Sequence, residues 1–453
     1  MKLYNSKSGQ LEEFKPLKKN EVSLYYCGPT LQSGPHIGHM MSAVVFDQLV
    51  RWFEYQGYQV RVVRNYTDID DKILAKATEE TPWWQVAQCS RSKFEEAYRA
   101  LNVKDVSYTP FATGHIPEMV ALTEQLIADG HAYVSAGSVY FDVKSWKEYG
   151  SLTHQNIENL EQGEDSEVGK RDPLDFALWK AAKPSEPADA HWNTPWGKVR
   201  PGWHLECSAM AAKYLGEEFD IHGGGLDLRF PHHENENAQS QAAGHGFSRL
   251  WMHHGLVQLN DQKMSKSIGN VLGPDELFSH ESPAVVRYFL STAHYRSNPD
   301  FSFETLQECS KALSRIQKFI HRAQPTDEAQ VPRAFTTAME EDLNVPLALS
   351  VVHDTVKAGN AFLDQGDSAH GAALAAQVCT MMDILGIEYD SQTSHTADSS
   401  ALASIMPYLL EIRAEAREQK DWAKADQIRD LLNKSGIVVE DGAQGASWHV
   451  EGK

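Results

Sequence analysis

Cysteine is scarce in this 453-residue chain, which holds five: Cys27, Cys89, Cys207, Cys309 and Cys379. Few, scattered and odd in number, they exclude the disulfide framework of a small secreted scaffold and read as reduced thiols, some of them candidate ligands. Long apolar runs are missing too. Nothing approaches the ~18 residues of a membrane span, and the opening MKLYNSKSGQLEEF has acidic residues where a signal peptide needs an apolar stretch. A cytoplasmic protein without membrane attachment is expected. Positive charge is in deficit, with 42 Lys and Arg against 62 Asp and Glu, a formal net charge of −20. That balance excludes a protein that coats nucleic acid or an anionic membrane by bulk electrostatics. The deficit is uneven. Residues 321–400 carry 3 basic and 12 acidic groups, nearly half of the excess, and are the poorest candidate for a polyanion-binding surface. Internal repeats and low-complexity tracts are also absent.

What is present is globular. Hydrophobic residues make up 42% and aromatics 10% of the chain, enough to bury real cores. At ~100–200 residues per domain, two to four domains are expected. VSLYY (22–26) is rich in strand formers and stops at the turn signal Cys27-Gly28-Pro29. From His36 to Tyr55 the apolar residues Ile37, Met40, Met41, Val44, Val45, Leu49 and Trp52 recur at helical spacing, with Gly57 as a C-cap. YQVRVVR (58–64) then alternates like a strand. Strand, helix and strand in this order make a βαβ unit of a parallel, doubly wound sheet. Ligands of such sheets bind at the carboxyl ends of the strands. Those ends are the turn after Tyr26 and the segment after Arg64.

Further along, residues 145–200 are dense in Pro, Gly, Trp and acids and read as an irregular insertion. The pattern predicts a helix over 206–216, a strand over 218–225 ending in a Gly turn, a helix over about 232–243 and a strand near 255–259. Residues 304–388 read as a helical bundle and 389–400 as a polar linker. A helical stretch to Gly436 and a small hairpin follow.

Two short motifs carry chemistry. PHIGH (35–39) sits where the loop after the first strand enters its helix. A helix N-terminus offers free N–H groups and a positive dipole end, which suit phosphate. Gly38 lets a base or ribose approach the backbone, and His36 and His39 can donate to phosphate oxygens. On the pentapeptide alone, two surface histidines explain it equally well. KMSKS (263–267) follows a predicted strand, and Lys263 and Lys266 form a cationic loop able to stabilise a leaving pyrophosphate. Together, in this order and each at a strand's end, the motifs resemble the two hallmarks of class I aminoacyl-tRNA synthetases.

Longer blocks narrow the resemblance. YYCGPT (25–30), NYTDIDDKI (65–73), RPGWHLECSAM (200–210), DIHGGGLDLRFPHHENENAQ (220–239) and QKDWAKADQIRDLLNKSGIVVEDG (419–442) resemble the cysteinyl-tRNA synthetase family, and the likeness runs over essentially the whole chain. It implies ATP-dependent ligation of L-cysteine to tRNA(Cys) through cysteinyl-adenylate, with one Zn²⁺ per subunit and Mg²⁺ bound with ATP. By motif position, the zinc ligands are Cys27, Cys207, His232 and Glu236. His232 and Glu236, at i and i+4, would share a helix face, whereas nothing in the spacing brings Cys27 to Cys207. The likeness also implies cysteine-pocket positions Gly28, Thr67, Trp203 and His204, and ATP contacts from His36, Gly38, His39, Lys263 and Lys266. Arg417, Arg429, Asp441 and Trp448 become candidate tRNA contacts. Two thiolates and a carboxylate already outweigh a divalent cation, so His204, His222, His233 or the helix dipole near His232 is expected to offset an incoming thiolate. Asp68, Asp70 and Asp71 form a carboxylate cluster, with a structural or substrate-ammonium role expected rather than a second metal.

The expected fold class is α/β: a Rossmann-like, doubly wound parallel-sheet catalytic domain with an irregular insertion, then a helical bundle and a small C-terminal α+β module. The expected boundaries are 1–260 for the catalytic domain (insertion about 115–200), 261–330 for the KMSKS loop and stem-contact region, 331–390 for the bundle and 400–453 for the anticodon-binding module. A monomer is expected. The chain departs from the family's pattern at Leu31, Gln32 and Ser33, where an aromatic and an acid or amide are usual, and at Met41, where an arginine is usual. Those changes would remove a positive charge near the nucleotide. The rivals are a cysteine ligase of mycothiol biosynthesis, against which the last ~50 residues argue, and a non-enzymatic tRNA-binding relative, against which both intact motifs argue.

Overall fold

The computed structural model describes residues 1–155, 168–259, 262–263, 271–325, 329–389, 406–417, 419, 421–434, 437–442 and 445–450. Among the described residues no helix is long and apolar enough to cross a membrane. A hairpin of β1 (Lys2–Asn5) and β2 (Gln10–Glu13) precedes β3 (Glu21–Tyr26), helix α1 (Ile37–Tyr55) and β4 (Gln59–Arg64). β3 and β4 pair in parallel from Glu21↔Gln59 to Tyr26↔Arg64, so the βαβ unit forms where the periodicity places it. The apolar positions of α1, including Ile37, Met40, Val44, Leu49 and Trp52, are buried. His36 caps α1: its side chain accepts from Gly38 N, and His39 accepts from His36 N. After β4 come α2 (Asp71–Leu74), α3 (Trp83–Ala100) and α4 (Ile116–Ala128).

Part of the stretch expected to be irregular joins the residues just before it in an antiparallel sheet. β5 (Ala132–Ser135), β6 (Ser138–Phe141), β7 (Phe176–Ala181), β8 (Trp192–Thr194) and β9 (Gly197–Pro201) lie in the order β5-β6-β7-β9-β8. The physical reason is burial on both faces. FALW of β7 is fully buried, so it lacks the alternation that marks a half-exposed strand. The Pro and Gly residues mark the turns between short strands. β9 leads into α5 (Trp203–Leu215), then β10 (Glu218–Gly225), α6 (Glu234–Ala242) and β11 (Phe247–His254). The sequence pattern did not give β11, because FSRLWMHH is buried almost throughout and offers no period-2 signal; the strand expected near 255–259 is met in part at Gln258–Leu259.

β10 joins the first unit. The four-stranded sheet runs β11-β10-β3-β4, all parallel. From β3 the chain crosses to one side, into β4; from β10 it crosses to the other, into β11. Neighbouring strands whose connections leave in opposite directions open a crevice beyond their carboxyl ends, where ligands of such sheets bind. Here the crevice lies at Tyr26-Cys27 and Gly223–Gly225.

Two short strands, β12 (Gln258–Leu259) and β13 (Gln262–Lys263), are followed by α7 (Pro274–His280), α8 (Pro283–Leu290) and β14 (Asp300–Phe301). A helical region follows: α9 (Phe303–Ala323), α10 (Arg333–Glu340), α11 (Val345–Asp364) and α12 (Ser368–Leu385). In α9 the buried residues Leu306, Cys309, Leu313, Ile316, Phe319 and Ala323 form one stripe at helical spacing. They share a core with the apolar face of α1. The chain divides into two compact units, Met1–Tyr389 and Asp390–Lys453. The second holds α13 (406–417), α14 (Trp422–Lys434) and a hairpin of β15 (Ile437–Gly442) and β16 (Gly445–Val450), around a small core of Met406, Leu432 and Ile437.

Candidate active site

Four side chains converge at the crevice from three parts of the chain. Cys27 follows β3, Cys207 projects from α5, and His232 and Glu236 come from the turn and helix after β10. Cys27 Sγ lies 3.7 Å from Cys207 Sγ and 3.4 Å from Glu236 Oε1. His232 Nε2 lies 3.0 Å from the same Oε1. All four are buried, and one donor atom of each lies within 4.8 Å of the others. A second overlapping set, Cys27, His222, His233 and Glu236, meets the same criterion.

The electrostatics call for a cation. Burial, the neighbouring Cys207 and the Glu236 carboxylate push the Cys27 thiol well above its ordinary value. Burial, with His204 and His222 nearby, pushes His232 well below its own. Burial and the Glu236 carboxylate disfavour the thiolate forms of Cys27 and Cys207, and a metal ion in their midst would reverse that. The arrangement is compatible with a metal site.

Around it lies a belt of histidines and indoles. His222 Nε2 contacts the second oxygen of Glu236 at 2.9 Å, and its ring stacks on Trp251 at 4.5 Å. His204 Nδ1 meets His232 Nδ1 at 2.9 Å. Trp203 stacks on His232 at 4.1 Å and lines the adjoining cleft. His233 bonds His253 at 2.9 Å, a partner the sequence had not singled out.

The cleft, about 290 Å³, runs from Cys27 and Gly28 to the N-terminus of α1, where His36, Gly38 and His39 line it. Gly28 N donates to Asn65 Oδ1 at 2.8 Å. A Cβ at Gly28 would fall 1.7 Å from Asn65 O, so only glycine lets the two strand ends lie this close. At Gly38 a Cβ would touch only the His36 ring, at 3.1 Å, which leaves the backbone open to the cleft. Thr67 is buried and donates from Oγ1 to Glu206 Oε2 at 2.8 Å.

The aspartate carboxylates have partners within the fold. Asp68 accepts from Thr113 N at 3.0 Å and Thr113 Oγ1 at 2.5 Å. Asp70 caps α2 through Lys72 N, and Asp71 pairs with Arg200 and with Lys180. Met41 is buried in the core and does not line the cleft. Leu31 is also buried, while Gln32 lines the cleft. Arg64, Tyr98 and Asp227, which the sequence did not mark, line it as well. The backbone of Lys263 belongs to β13, whereas its side chain, Lys266 and the rest of KMSKS lie outside the described residues. In the second unit Arg417 and Arg429 are exposed, and Arg429 pairs with Asp426 at 3.2 Å. Trp448 packs half-buried against the small core, and the Asp441 side chain lies outside the described residues.

Comparison with known proteins follows the same division. Residues 13–311 match the family described as "tRNA synthetases class I (C) catalytic domain". Residues 334–389 match the DALR domain, and 402–448 the "Cysteinyl-tRNA ligase anticodon binding domain". The cysteine–tRNA ligase of Paenarthrobacter aurescens is 50% identical over 480 residues, spanning 100% of this chain and 99% of that protein. That of Micrococcus luteus is 50% identical over 99% of each chain. Among solved structures, Mycobacterium tuberculosis methionyl-tRNA synthetase in complex with methionyl-adenylate superposes with a TM-score of 0.60 at 15% identity, over 81% of this chain and 89% of that one. At that identity it shows a shared fold.

Proposed function

The chain belongs to the cysteine–tRNA ligase family, and from that premise we propose how its residues divide the work of charging tRNA(Cys) with L-cysteine. Cys27, Cys207, His232 and Glu236 hold a Zn²⁺ ion. Tetrahedral zinc with bonds of ~2.3 Å to sulfur and ~2.0 Å to nitrogen or oxygen would set its ligands about 3.8 Å (S–S), 3.5 Å (S–O) and 3.3 Å (N–O) apart. The observed 3.7, 3.4 and 3.0 Å fit that ion. Bound there, zinc supplies selectivity, because a thiolate ligates it far better than serine's hydroxyl and shape alone rejects an isostere weakly.

The chain's own residues do the rest. The cysteine carboxylate oxygen attacks the α-phosphorus of ATP, the bond to the pyrophosphate oxygen breaks, and cysteinyl-adenylate forms. A terminal ribose hydroxyl of the tRNA then attacks the activated carbonyl, loses its proton, and AMP leaves. Neither step needs a protein nucleophile; positioning and charge stabilisation suffice. The amino acid lies between the metal cluster and α1, against Gly28 and Trp203, with Thr67 and His204 held behind that wall. The positive dipole end of α1, with His36 and His39, takes the Mg²⁺-bound phosphates while Gly38 admits the ribose. Lys263 and Lys266 neutralise the leaving pyrophosphate. Arg417, Arg429, Asp441 and Trp448 meet the tRNA, and the enzyme works as a cytoplasmic monomer.

The observation that carries this reading is the convergence of two thiols, an imidazole and a carboxylate at the sheet's crevice, beside the N-terminus of α1. Cysteine-dependent ATP–pyrophosphate exchange tests it, with serine as the control substrate and metal content measured alongside. Exchange with cysteine, none with serine, and one zinc per chain are expected. Exchange that ignores zinc removal would sink the reading.

A further inference from the structure

The cleft contains a buried cation for which the described residues supply no anion. Arg64, the last residue of β4, is 6% exposed and lines the cleft. Its Nη1 donates to the Tyr26 hydroxyl at 3.2 Å, and its guanidinium carbon sits 4.4 Å from the centre of the Tyr98 ring. The Tyr66 and Tyr26 rings flank it at 5.9 and 6.0 Å. Its Nε is buried and has no hydrogen-bond partner. No carboxylate among the described residues forms an ion pair with it.

Two other buried arginines of the same unit behave differently. Arg200 meets Asp71 and Glu186. Arg287 meets Asp47. Taking a guanidinium out of water is costly unless an anion compensates, and aromatic faces compensate only in part. A cation held rigidly by three rings, with donors left over and one side on a substrate cleft, is built to receive an anion from outside. The planar fork of arginine fits the paired oxygens of carboxylate and phosphate. Its place narrows the choice. A Cβ at Gly28 would lie 3.2 Å from Arg64 Cγ, so its stem passes beside the residue that follows Cys27.

We propose that Arg64 is a substrate-contacting residue of adenylation, binding the oxyanion at the reacting centre, either the cysteine α-carboxylate or the α-phosphate it attacks. This rests on the reading that amino acid and ATP meet in this cleft. As the carboxylate oxygen bonds to phosphorus and the electron pair of the breaking P–O bond departs with pyrophosphate, Arg64 stays against the remaining oxyanion. The two anionic sources differ in what removing the charge abolishes.

The test compares wild type, Arg64→Met, Arg64→Lys and the benchmark Cys207→Ser. Melting temperatures are taken without ligand and with cysteamine, L-cysteine or ATP-Mg²⁺, alongside pyrophosphate-exchange kcat and KM. Arg64→Met is expected to melt no lower than wild type without ligand, since it removes an uncompensated charge, and to lose about 100-fold in exchange kcat. Its stabilisation by cysteamine, which has the thiol but no carboxylate, should persist. If the carboxylate is the partner, the shift with L-cysteine falls to that with cysteamine; if the phosphate is, the shift with ATP falls. Arg64→Lys, which keeps charge without the fork, should lose about tenfold in kcat with zinc content unchanged, and decides the matter if Arg64→Met fails to fold. Near-wild-type exchange in either variant, with Cys207→Ser inactive, overturns the proposal and leaves the cleft reading standing. Normal exchange in Cys207→Ser overturns the cleft reading itself, and this proposal with it.

Discussion

Glu236 is where the charges of the metal cluster meet. One oxygen faces Cys27 and His232, and the other takes His222 Nε2 at 2.9 Å. On the proposed ligand set, His222 lies outside it and fixes the orientation of a ligand, a role whose loss typically weakens metal affinity ~10–100-fold. His222→Ala is expected to fall in that range in a zinc-chelator competition, while Cys207→Ser should retain no stoichiometric zinc. Should His204→Ala and His222→Ala both leave zinc and cysteine affinity unchanged, the surrounding imidazoles are not tuning the site. Little of this was legible from spacing. His232 and Glu236 announce themselves as an i, i+4 pair, but Cys27 and Cys207 are 180 positions apart, and only the likeness to a family joined them. Sequence reasoning also marked Asp68, Asp70 and Asp71, the more conspicuous cluster, whose carboxylates prove occupied in holding Thr113, α2 and Arg200. Arg64 passed as the end of an alternating strand. A buried cation without an anion leaves no trace in a sequence, because what defines it is the absence of something in space.

At the scale of elements, α1 is the lever on which the site depends, and it is fastened at its middle. Asp47 accepts from Arg51 at 2.7 Å and from Lys104 N at 2.8 Å, and it pairs with Arg287 of α8. Arg287 in turn donates to Leu385 O at the end of α12 and to Leu101 O just past α3, both at 2.8 Å. One carboxylate thus ties the helix carrying His36 and His39 to three other helices. Asp47→Asn would leave Arg287 buried and uncompensated, and removing one partner of such a pair costs about 3–5 kcal/mol, measurable as a lower urea midpoint at neutral pH. Burial alone would raise the Asp47 pKa, but Arg287 and Arg51 outweigh it and hold the carboxyl below its ordinary value. A depressed value stabilises the fold above the unfolded pKa of ~3.9, and that stability is lost as pH falls through the folded value. The gap between wild type and Asp47→Asn should therefore narrow in acid; a gap that widens would show that the ion pair is not its source. The elements themselves were legible wherever apolar residues recur with a clear period, as in α1, β4 and α9. They were not where a strand is buried on both faces, so β7 and β11 were missed.

The whole molecule returns the question of charge. A net −20 in 453 residues argues against binding a polyanion at large, yet the second unit matches an anticodon-binding domain over 402–448. The two facts agree if the nucleic acid is held by few placed cations rather than by a field. The catalytic sheet, the metal cluster and the cleft all lie within Met1–Tyr389, and the second unit has its own core of Met406, Leu432 and Ile437. A chain ending at Tyr389 should keep cysteine-dependent pyrophosphate exchange within about threefold of the full protein, since exchange needs nothing beyond the cleft. It should lose charging of tRNA(Cys) by at least about tenfold in kcat/KM, the equivalent of ~1.4 kcal/mol of tRNA contact. Salt then separates attraction at a distance from placed contacts. Each phosphate neutralised by a cation contributes close to −0.7 to −0.9 to the slope of log affinity against log salt. A protein binding by a few cations should give a shallow slope of about −2 to −4 for charging, and no slope for exchange. Arg429→Ala should reduce it by about one unit, as expected when one phosphate contact is lost. A steep slope in the intact enzyme, undiminished in that variant, would mean that the tRNA is held by a broad positive surface, and the acidic balance of this chain leaves little room for one.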